Sequence, residues 1–123
     1  MRPVKDTLAP GLEHEQDVTV TEDMSPIHLP VKVLSTPSMI QLMEQTCLLA
    51  AAPHLDEDET TVGTHVCVSH AAAAMAGEDV TIRARLVEVT KRRLKFEVSA
   101  TAGDRVLGEG THDRAVISTN RFG

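Results

Sequence analysis

Aromatic residues are nearly absent from this sequence of 123 residues, which contains two phenylalanines, Phe96 and Phe122, and no tryptophan or tyrosine. Proteins that bind single-stranded nucleic acid stack bases on aromatic side chains, and this chain has almost none to offer. Positive charge is also in the minority, with 12 Lys and Arg against 18 Asp and Glu and a formal net charge of −6. Such a chain repels phosphate backbones and anionic lipids, so we expect neither nucleic acid nor a membrane as a partner.

Long apolar runs and cysteines are scarce as well. The longest apolar run covers residues 48–53, which is far too short to cross a bilayer. The N-terminus lacks the positive region and apolar stretch of a signal peptide. The two cysteines, Cys47 and Cys67, both lie in apolar stretches. We therefore expect a cytoplasmic protein in which both thiols are free and buried.

The remaining composition is that of a globular protein, with 41% hydrophobic and 24% charged residues. A chain of 123 residues is long enough for one hydrophobic core and too short for two. Residues 1–15 contain Pro3, Pro10 and Gly11 without a hydrophobic period, which predicts a flexible N-terminal segment before a single domain of residues 16–123. Residues 22–35, which carry further prolines and several apolar side chains, are expected to form a cover, or lid.

One helix is predicted between two prolines. Thr36 suits the N-cap, Pro37 suits the first turn, and Pro53 marks the end. The residues between them leave almost no polar side, which predicts a helix buried nearly all round. Glu44 lies inside this apolar helix. Because a buried carboxylate is costly without a partner, Glu44 either faces solvent or has a functional role.

A period of two replaces the helical period from residue 62 onward. Long strands are predicted for residues 62–74, 79–90, 94–102 and 105–118. A shorter strand is predicted for residues 17–21. Four long strands that follow one buried helix through tight turns predict an α+β fold, with a long antiparallel sheet wrapped around one central helix.

His70 lies on the first of the long strands. Regular alternation places the even-numbered residues 64–70 toward the helix and the odd-numbered residues 63–69 away from it. Imidazole and thiolate groups suit zinc, but His65 and Cys67 then face away from His70, so we expect no metal site here. His70 is either a core histidine with a satisfied ring or a partner of Glu44, and the sequence leaves both open.

Thr36 and Glu44 are eight residues apart, which in a regular helix corresponds to about 12 Å of rise and about 80° of rotation. The two side chains therefore do not touch directly. Thr36 is either a plain N-cap or a reacting hydroxyl. The helix start also favours an anion, such as the oxygen of a carbonyl under attack, and because Pro37 has no N–H, Ser38 and Met39 are the expected donors.

A basic cluster at residues 91–95 is open to two interpretations. It contains Lys91, Arg92 and Arg93, and Arg83 and Arg85 lie close to it in sequence. The cluster is either a solvated hairpin turn or a grip for the phosphates of an anionic ligand such as a nucleotide.

Several blocks of the sequence carry a more specific signal. They are Thr36 with Met39, LME at 42–44, Cys47, APHL at 52–55, VGTHVCVSH at 62–70 and GEGTHDRAVI at 108–117. These blocks resemble those of the fluoroacetyl-CoA thioesterase family and fall in that family's order. The resemblance covers residues 17–118 and implies the hotdog fold, in which a long antiparallel sheet wraps around one helix.

The resemblance also implies an activity. Thr36, Glu44 and His70 match the family's residues that hydrolyse an acyl-CoA thioester to a free acid and coenzyme A. Gly63 matches a backbone position near the acyl group, and Arg114 matches an arginine close to the site. No cofactor is implied, since coenzyme A is part of the substrate. Hotdog proteins usually pair with their sites at the interface, so the resemblance also implies a homodimer.

The predicted lid differs from that of the family's fluoroacetate enzyme, which closes its pocket with phenylalanine-bearing residues. Residues 22–35 contain no phenylalanine, and their aliphatic character indicates a small apolar acyl group. Two other functions stay open on the same fold. One is a non-hydrolytic acyl-CoA binding protein. The other is a hydratase, which would use an Asp and His pair in a setting that this sequence does not contain.

Overall fold

The fold is built from one long helix and five strands, and the computed structural model describes residues 2–121. The helix is α1 (Thr36–Ala51), and the strands are β1 (Glu13–Thr19), β2 (Glu59–His70), β3 (Asp79–Thr90), β4 (Arg93–Ala102) and β5 (Arg105–Ser118). Short 3-10 turns occur at Glu22–Met24, Ala52–His54 and Thr119–Arg121. The strands form one sheet in the order β1-β3-β4-β5-β2, and all neighbours are antiparallel. The predicted α+β arrangement of an antiparallel sheet around a central helix is confirmed.

The hydrophobic core lies between α1 and the face of the sheet that the helix covers. Met39, Met43 and Cys47 point into it from successive turns of α1, and none of them is more than 1% exposed. Opposite them, the sheet contributes fully buried side chains that include Ile82, Leu86, Phe96 and Leu107. The core is thus almost entirely aliphatic apart from Phe96, and Phe122 lies outside the described residues.

The helix is buried on one side only, so the prediction of burial nearly all round is wrong. A stripe of exposed residues runs along α1 at a spacing of four: Pro37, Gln41, Gln45 and Leu49. Glu44 lies beside this stripe and is partly buried. Among residues 2–121, no helix is both long enough and apolar enough to cross a membrane.

The N-terminal segment is more ordered than the sequence predicts. β1 begins at Glu13, and Leu8 is 2% exposed as part of the core. Arg2 donates to Asp58 at 2.8 Å, which joins the chain start to the region before β2. The segment 1–15 that the sequence predicts to be flexible therefore contains a core residue and the start of a strand.

The bounds of β3 and β5 match the prediction, whereas those of β2 do not. β2 begins at Glu59 and ends at His70, instead of spanning residues 62–74. It ends early because the next two N–H groups, those of Ala71 and Ala72, both donate to the carbonyl of Leu107 and turn the chain away. His70 is therefore the last residue of its strand.

The predicted lid, residues 22–35, forms a loop that is closed at its base. The Val33 N–H donates to Ser25 Oγ at 3.1 Å, and the Ser35 N–H donates to the Met24 carbonyl at 2.9 Å. At the tip, Ile27 is fully exposed. In the single chain this loop thus holds its apolar tip in solvent instead of covering the core.

Candidate active site

The first part of the candidate site is a contact between Thr36 and His70. Thr36 Oγ1 lies 2.7 Å from His70 Nδ1. Thr36 is exposed at the start of α1, and His70 is partly buried at the end of β2. When His70 carries its proton on Nε2, the Thr36 hydroxyl donates to Nδ1, which is the arrangement of a hydroxyl nucleophile with a base. His70 Nε2 is buried and has no hydrogen-bond partner within residues 2–121.

Ser35, not Thr36, is the N-cap of α1, which corrects the sequence assignment. Ser35 Oγ accepts a hydrogen bond from the Ser38 N–H at 3.2 Å, and the Ser35 carbonyl accepts one from the Met39 N–H at 3.0 Å. Because Ser35 caps the helix, the hydroxyl of Thr36 is left for His70.

The same cap occupies the N–H groups that the sequence assigned to an anion. The expectation that Ser38 and Met39 offer free donors is wrong, since both already have acceptors, and the Met39 side chain is fully buried. The Thr36 N–H donates to no group within residues 2–121. Since Pro37 has no N–H, the first turn presents the Thr36 N–H beside the Thr36 hydroxyl.

The second part of the site is the approach of Glu44 to Gly63. A Cβ atom added at Gly63 would lie 3.3 Å from Glu44 Oε1, so the carboxylate packs against the bare backbone of β2. Within residues 2–121, Glu44 makes no hydrogen bond or ion pair with Thr36 or His70. One chain therefore brings Thr36 and His70 together and keeps Glu44 apart from both. The helical spacing predicted the separation of Glu44 from Thr36, whereas the pairing of Glu44 with His70 that the sequence left open is not found within residues 2–121.

Gly63 faces the helix, contrary to the prediction from regular alternation. The pairing of β2 with β5 shifts by one residue between Gly63 and His65, with Gly63 opposite Arg114 and His65 opposite Asp113. Thr64 is the extra residue of this β-bulge. Gly63 before the bulge and His70 after it consequently face the same side, although one number is odd and the other is even.

Arg114 belongs to a buried polar network directly behind Gly63. It is 6% exposed, and it donates from Nε to Thr61 Oγ1 at 2.7 Å and from Nη2 to the Thr61 carbonyl at 2.8 Å. Its Nη1 donates to His112 Nε2 at 3.0 Å. Burial lowers the pKa of Arg114, while Cys47 and Glu44 nearby act to raise it. The network places a fixed positive charge behind the glycine that Glu44 contacts.

Sequence reasoning missed two residues of this region, Ser35 and His112. The signal for His112 is the period of two on β5, where Gly108, Gly110, His112 and Arg114 share the face toward the helix. On a buried strand face shared with two glycines and an arginine, a histidine has few possible hydrogen-bond partners, and the arginine is one of them. The alternation that predicts the helix side for His70 predicts the same side for His112.

The two cysteines differ in their surroundings. Burial raises the pKa of the Cys47 thiol to about 12, so this group is a neutral core side chain at physiological pH. Cys67 is free and exposed, which corrects the expectation that both thiols are buried. It lies on β2 opposite Thr111, on the outer face of the sheet.

One residue of the basic cluster at residues 91–95, Arg92, and the two arginines close to it in sequence lie next to carboxylates. Arg92 Nη2 donates to Glu59 Oε2 at 2.5 Å, and Arg83 Nε donates to Glu15 Oε2 at 2.8 Å. Arg85 Nε lies 3.8 Å from Glu13 Oε1. These pairs occupy Arg92, Arg83 and Arg85, whereas Lys91, Arg93 and Lys95 form no such pair within residues 2–121, so both interpretations of the cluster stay open.

Known proteins resemble this chain in sequence. A family model described as fluoroacetyl-CoA-specific thioesterase matches residues 14–120. The curated fluoroacetyl-CoA thioesterase of Streptantibioticus cattleyicolor is 45% identical over 91 residues, which cover 74% of this chain and 66% of that protein. The aligned part thus spans slightly less than two thirds of the length of this relative.

Solved structures resemble it in fold. A phenylalanine-to-alanine mutant of the fluoroacetyl-CoA-specific thioesterase, crystallised in complex with fluoroacetate and CoA, is 37% identical, with a TM-score of 0.88 over 94% of this chain and 99% of that chain. A hot-dog-like protein from Thermanaerovibrio acidaminovorans is 22% identical, with a TM-score of 0.87 over 95% of this chain and 90% of that one, a likeness of fold alone. The architecture is the hotdog fold, and the chain belongs to the fluoroacetyl-CoA-specific thioesterase family.

Proposed function

We propose that this chain hydrolyses the thioester of a small acyl-CoA to a free acid and coenzyme A. The observation that carries the proposal is the 2.7 Å contact between Thr36 Oγ1 and His70 Nδ1 at the start of α1. The substrate class comes from the relatives, which are fluoroacetyl-CoA thioesterases, one of them solved with fluoroacetate and CoA. No cofactor is part of the proposal, because coenzyme A belongs to the substrate.

The contact between Thr36 and His70 supports a stepwise hydrolysis. An oxygen nucleophile, either the Thr36 hydroxyl or a water in its place, gives its proton to His70 Nδ1 and attacks the carbonyl carbon. The Thr36 N–H and the dipole of α1 stabilise the negative charge on the carbonyl oxygen. The C–S bond then breaks, and the coenzyme A sulfur takes the proton from His70. If Thr36 attacks, a second round with water releases the acid from its ester.

Glu44 completes this site in a homodimer. β2 is an edge strand with an unpaired outer side, and Val62 and Val66 are 39% and 37% exposed along it. Such an edge is a template for pairing with a second copy of the same strand. We propose that two chains join through β2, which extends the sheet across both.

The symmetry of this pairing places Glu44 near the other chain's reacting pair. Residues 62–69 of β2 are exposed except for a partly buried Val68. If the two-fold axis passes through the centre of this stretch, Gly63 lies opposite the partner subunit's Val68, two residues from the partner subunit's His70. Paired residues of antiparallel strands share a face. Each site then combines Glu44 and Gly63 of one chain with Thr36 and His70 of the other.

The acyl group is proposed to be small and apolar. The loop of residues 22–35 ends at Thr36, and its exposed tip is aliphatic, with Ile27 and Val31. The loop contains no aromatic side chain. Two free thiols, Cys47 and Cys67, suit a reducing compartment, so the cytoplasm is the proposed location.

A panel of acyl-CoA esters from acetyl to hexanoyl, with fluoroacetyl-CoA included, tests the activity through the release of free thiol. We expect turnover on the shortest members, unaffected by a metal chelator. Thermal stabilisation by acyl-CoA without thiol release would instead favour a binding protein. Trapping of an acyl group on Thr36 in single-turnover mass spectrometry identifies Thr36 as the nucleophile, and its absence identifies water.

Mixed dimers test the shared site. Glu44→Gln and His70→Ala are each expected to be inactive, because each removes one part from both sites. When the two variants are mixed after mild unfolding, a heterodimer carries both changes in one site and none in the other. Random assortment then restores about a quarter of wild-type activity. If the mixture stays inactive although heterodimers form, each site uses residues of one chain alone.

A further inference from the structure

We infer that His112 is a positioning residue of the proposed thioesterase site: it holds the β2 bulge and Arg114 so that the backbone of Gly63 meets Glu44. This inference rests on the proposed function and adds to it a residue that contacts neither Thr36 nor His70. His112 is 1% exposed on β5, and both of its ring nitrogens have partners.

The two partners fix the protonation of the ring. His112 Nδ1 lies 2.8 Å from the His65 carbonyl oxygen, which only accepts, so Nδ1 carries the hydrogen. His112 Nε2 lies 3.0 Å from Arg114 Nη1, which only donates, so Nε2 carries none. The geometry therefore requires the neutral Nδ1–H form, and a second proton on Nε2 would set a cation against the guanidinium.

The bond to His65 holds the bulge in place. His65 is the residue that follows the extra residue Thr64. A bulge interrupts the regular hydrogen bonds of the ladder, and a side chain that satisfies a carbonyl there stabilises the irregular backbone. His112, on the neighbouring strand, is in this way connected to the part of β2 that turns Gly63 toward the helix.

Three side chains converge on Gly63. A Cβ atom added there would lie 3.1 Å from His112 Cε1, 3.3 Å from Glu44 Oε1 and 3.6 Å from Arg114 Nη1. Arg114 is itself held on its other side by Thr61. His112 is the one of the three that bonds both to β2 and to Arg114. Loss of the His112 ring therefore removes one support from the backbone near Gly63 and one from the guanidinium of Arg114.

The charged and titratable groups that face His112 come from three elements. Burial lowers the pKa of His112, the bond to the His65 carbonyl and the nearby Glu44 and Asp113 raise it, and Arg114 lowers it further. Glu44 comes from α1, His65 from β2, and Asp113 and Arg114 from β5. The net result is a lowered pKa of His112, which agrees with the neutral ring that the geometry requires.

Nuclear magnetic resonance of the wild-type protein tests the ring state without any substitution. Long-range proton–nitrogen spectra are expected to show His112 as the neutral Nδ1–H tautomer at pH 7. An imidazolium or an Nε2–H tautomer at this pH would overturn the inference. This measurement does not depend on catalysis, so it still decides the ring state if the wild-type protein releases no thiol and the proposed function fails.

Variants test the positioning role. His112→Asn keeps an N–H that reaches toward the His65 carbonyl and loses the acceptor for Arg114, whereas His112→Phe keeps the ring shape and loses both bonds. We expect kcat on an acyl-CoA to fall roughly 10-fold in the first and roughly 100-fold in the second, because small displacements of reacting groups have effects of this size. The matched control is His65→Asn, which changes the exposed His65 ring and leaves its carbonyl in place.

A double-mutant cycle separates positioning from general stability. If His112 acts through Gly63 and Glu44, His112→Asn lowers kcat much less in a Glu44→Asp background, which keeps a carboxylate for turnover but shortens its reach toward Gly63, than in the wild type. A merely structural residue would lower kcat by the same factor in both. Equal factors, or an unchanged kcat in a folded His112→Asn protein, would overturn the inference. If His112→Phe fails to fold, the Asn variant and the wild-type tautomer decide.

Discussion

Thr36 and His70, 34 residues apart in sequence, meet at 2.7 Å between Oγ1 and Nδ1. The helix start supplies the hydroxyl and the end of the edge strand supplies the imidazole, so the contact exists only in the folded chain. Ser35 takes over the capping of α1, which leaves Thr36 free for this role. Ser35 thus stabilises the helix start, and Thr36 is available for the proposed reaction.

Thr36→Ala is expected to lower kcat/KM by about 10²- to 10⁴-fold, the usual range for loss of a group that takes part in proton transfer. Thr36→Ser retains a hydroxyl and is expected to keep most of the activity. Steady-state kinetics with thiol detection measures both. Ser35→Ala serves as the comparison for stability, since loss of an N-cap costs about 1 kcal/mol, a loss that Thr36→Ala should not show. Wild-type turnover in Thr36→Ala would remove Thr36 from the mechanism.

Glu44→Gln is expected to abolish turnover while the melting temperature stays similar or rises. The carboxylate is partly buried and has no hydrogen-bond or ion-pair partner within residues 2–121, so a neutral amide of the same shape loses little and avoids a desolvated charge. Calorimetry at pH 7 gives the melting temperature. A drop of several degrees would show that Glu44 pairs with another group in the folded protein.

Gly63→Ala is expected to destabilise the protein by about 1–3 kcal/mol, the usual cost of an overpacked site. The new methyl group would lie 3.1 Å from His112 Cε1 and 3.3 Å from Glu44 Oε1, and His112 cannot move without breaking two hydrogen bonds. Chemical denaturation measures the stability, and kinetics should show a lower kcat. Normal stability and turnover together would mean that the three side chains tolerate the methyl group.

The pH dependence of stability should reflect His112. Burial lowers its pKa from the ordinary value of 6.5, so the unfolded state takes up a proton at a higher pH than the folded state does. Its contribution to stability is therefore fully present above pH 6.5 and is lost as the pH falls toward the folded-state pKa. Denaturation midpoints between pH 8 and 5 should decline more steeply in the wild type than in His112→Asn. Parallel curves would show that His112 does not titrate in this range.

Thiol labelling should distinguish the two cysteines. Cys67 is exposed and Cys47 is buried, with the pKa of the Cys47 thiol raised to about 12 by burial. Since the thiolate is the reactive form, a disulfide reagent at pH 8 should modify one thiol per chain in the native protein and two after unfolding. Cys67→Ser should abolish the native reaction. Rapid labelling of Cys47 in that variant would reveal local opening of the core.

The sequence predicts much of this fold because the hydrophobic periods are clear. The period of two over β3 and β5 predicts both strands to the residue, and two prolines predict the extent of α1 within two residues. The exposed stripe along α1 has a polar signal in Gln41 and Gln45 that the prediction of all-round burial overlooks, while the apolar Leu49 hides the end of the stripe, because composition alone does not distinguish a core residue from one at the surface.

The candidate site shows where such reasoning stops. Regular alternation predicts the helix side correctly for His70 but predicts the wrong face for Gly63, because nothing in the local sequence marks Thr64 as the extra residue of a bulge. The N-cap was assigned one residue too late, since Ser35 and Thr36 are both suitable capping residues. Such choices depend on hydrogen bonds from other segments, which a local pattern does not contain.

Because of the bulge at Thr64, odd-numbered residues of β2 face the helix before the bulge and even-numbered residues face it after the bulge. Were β2 to pair along its whole length in a single register, either Gly63 or His70 would point away from the helix. If the bulge is kept, adding one residue elsewhere between these two positions would turn one of the two side chains outward, whereas removing Thr64 would restore a straight strand on which both still point inward. Deletion of Thr64 should thus be better tolerated than an insertion that leaves the bulge in place.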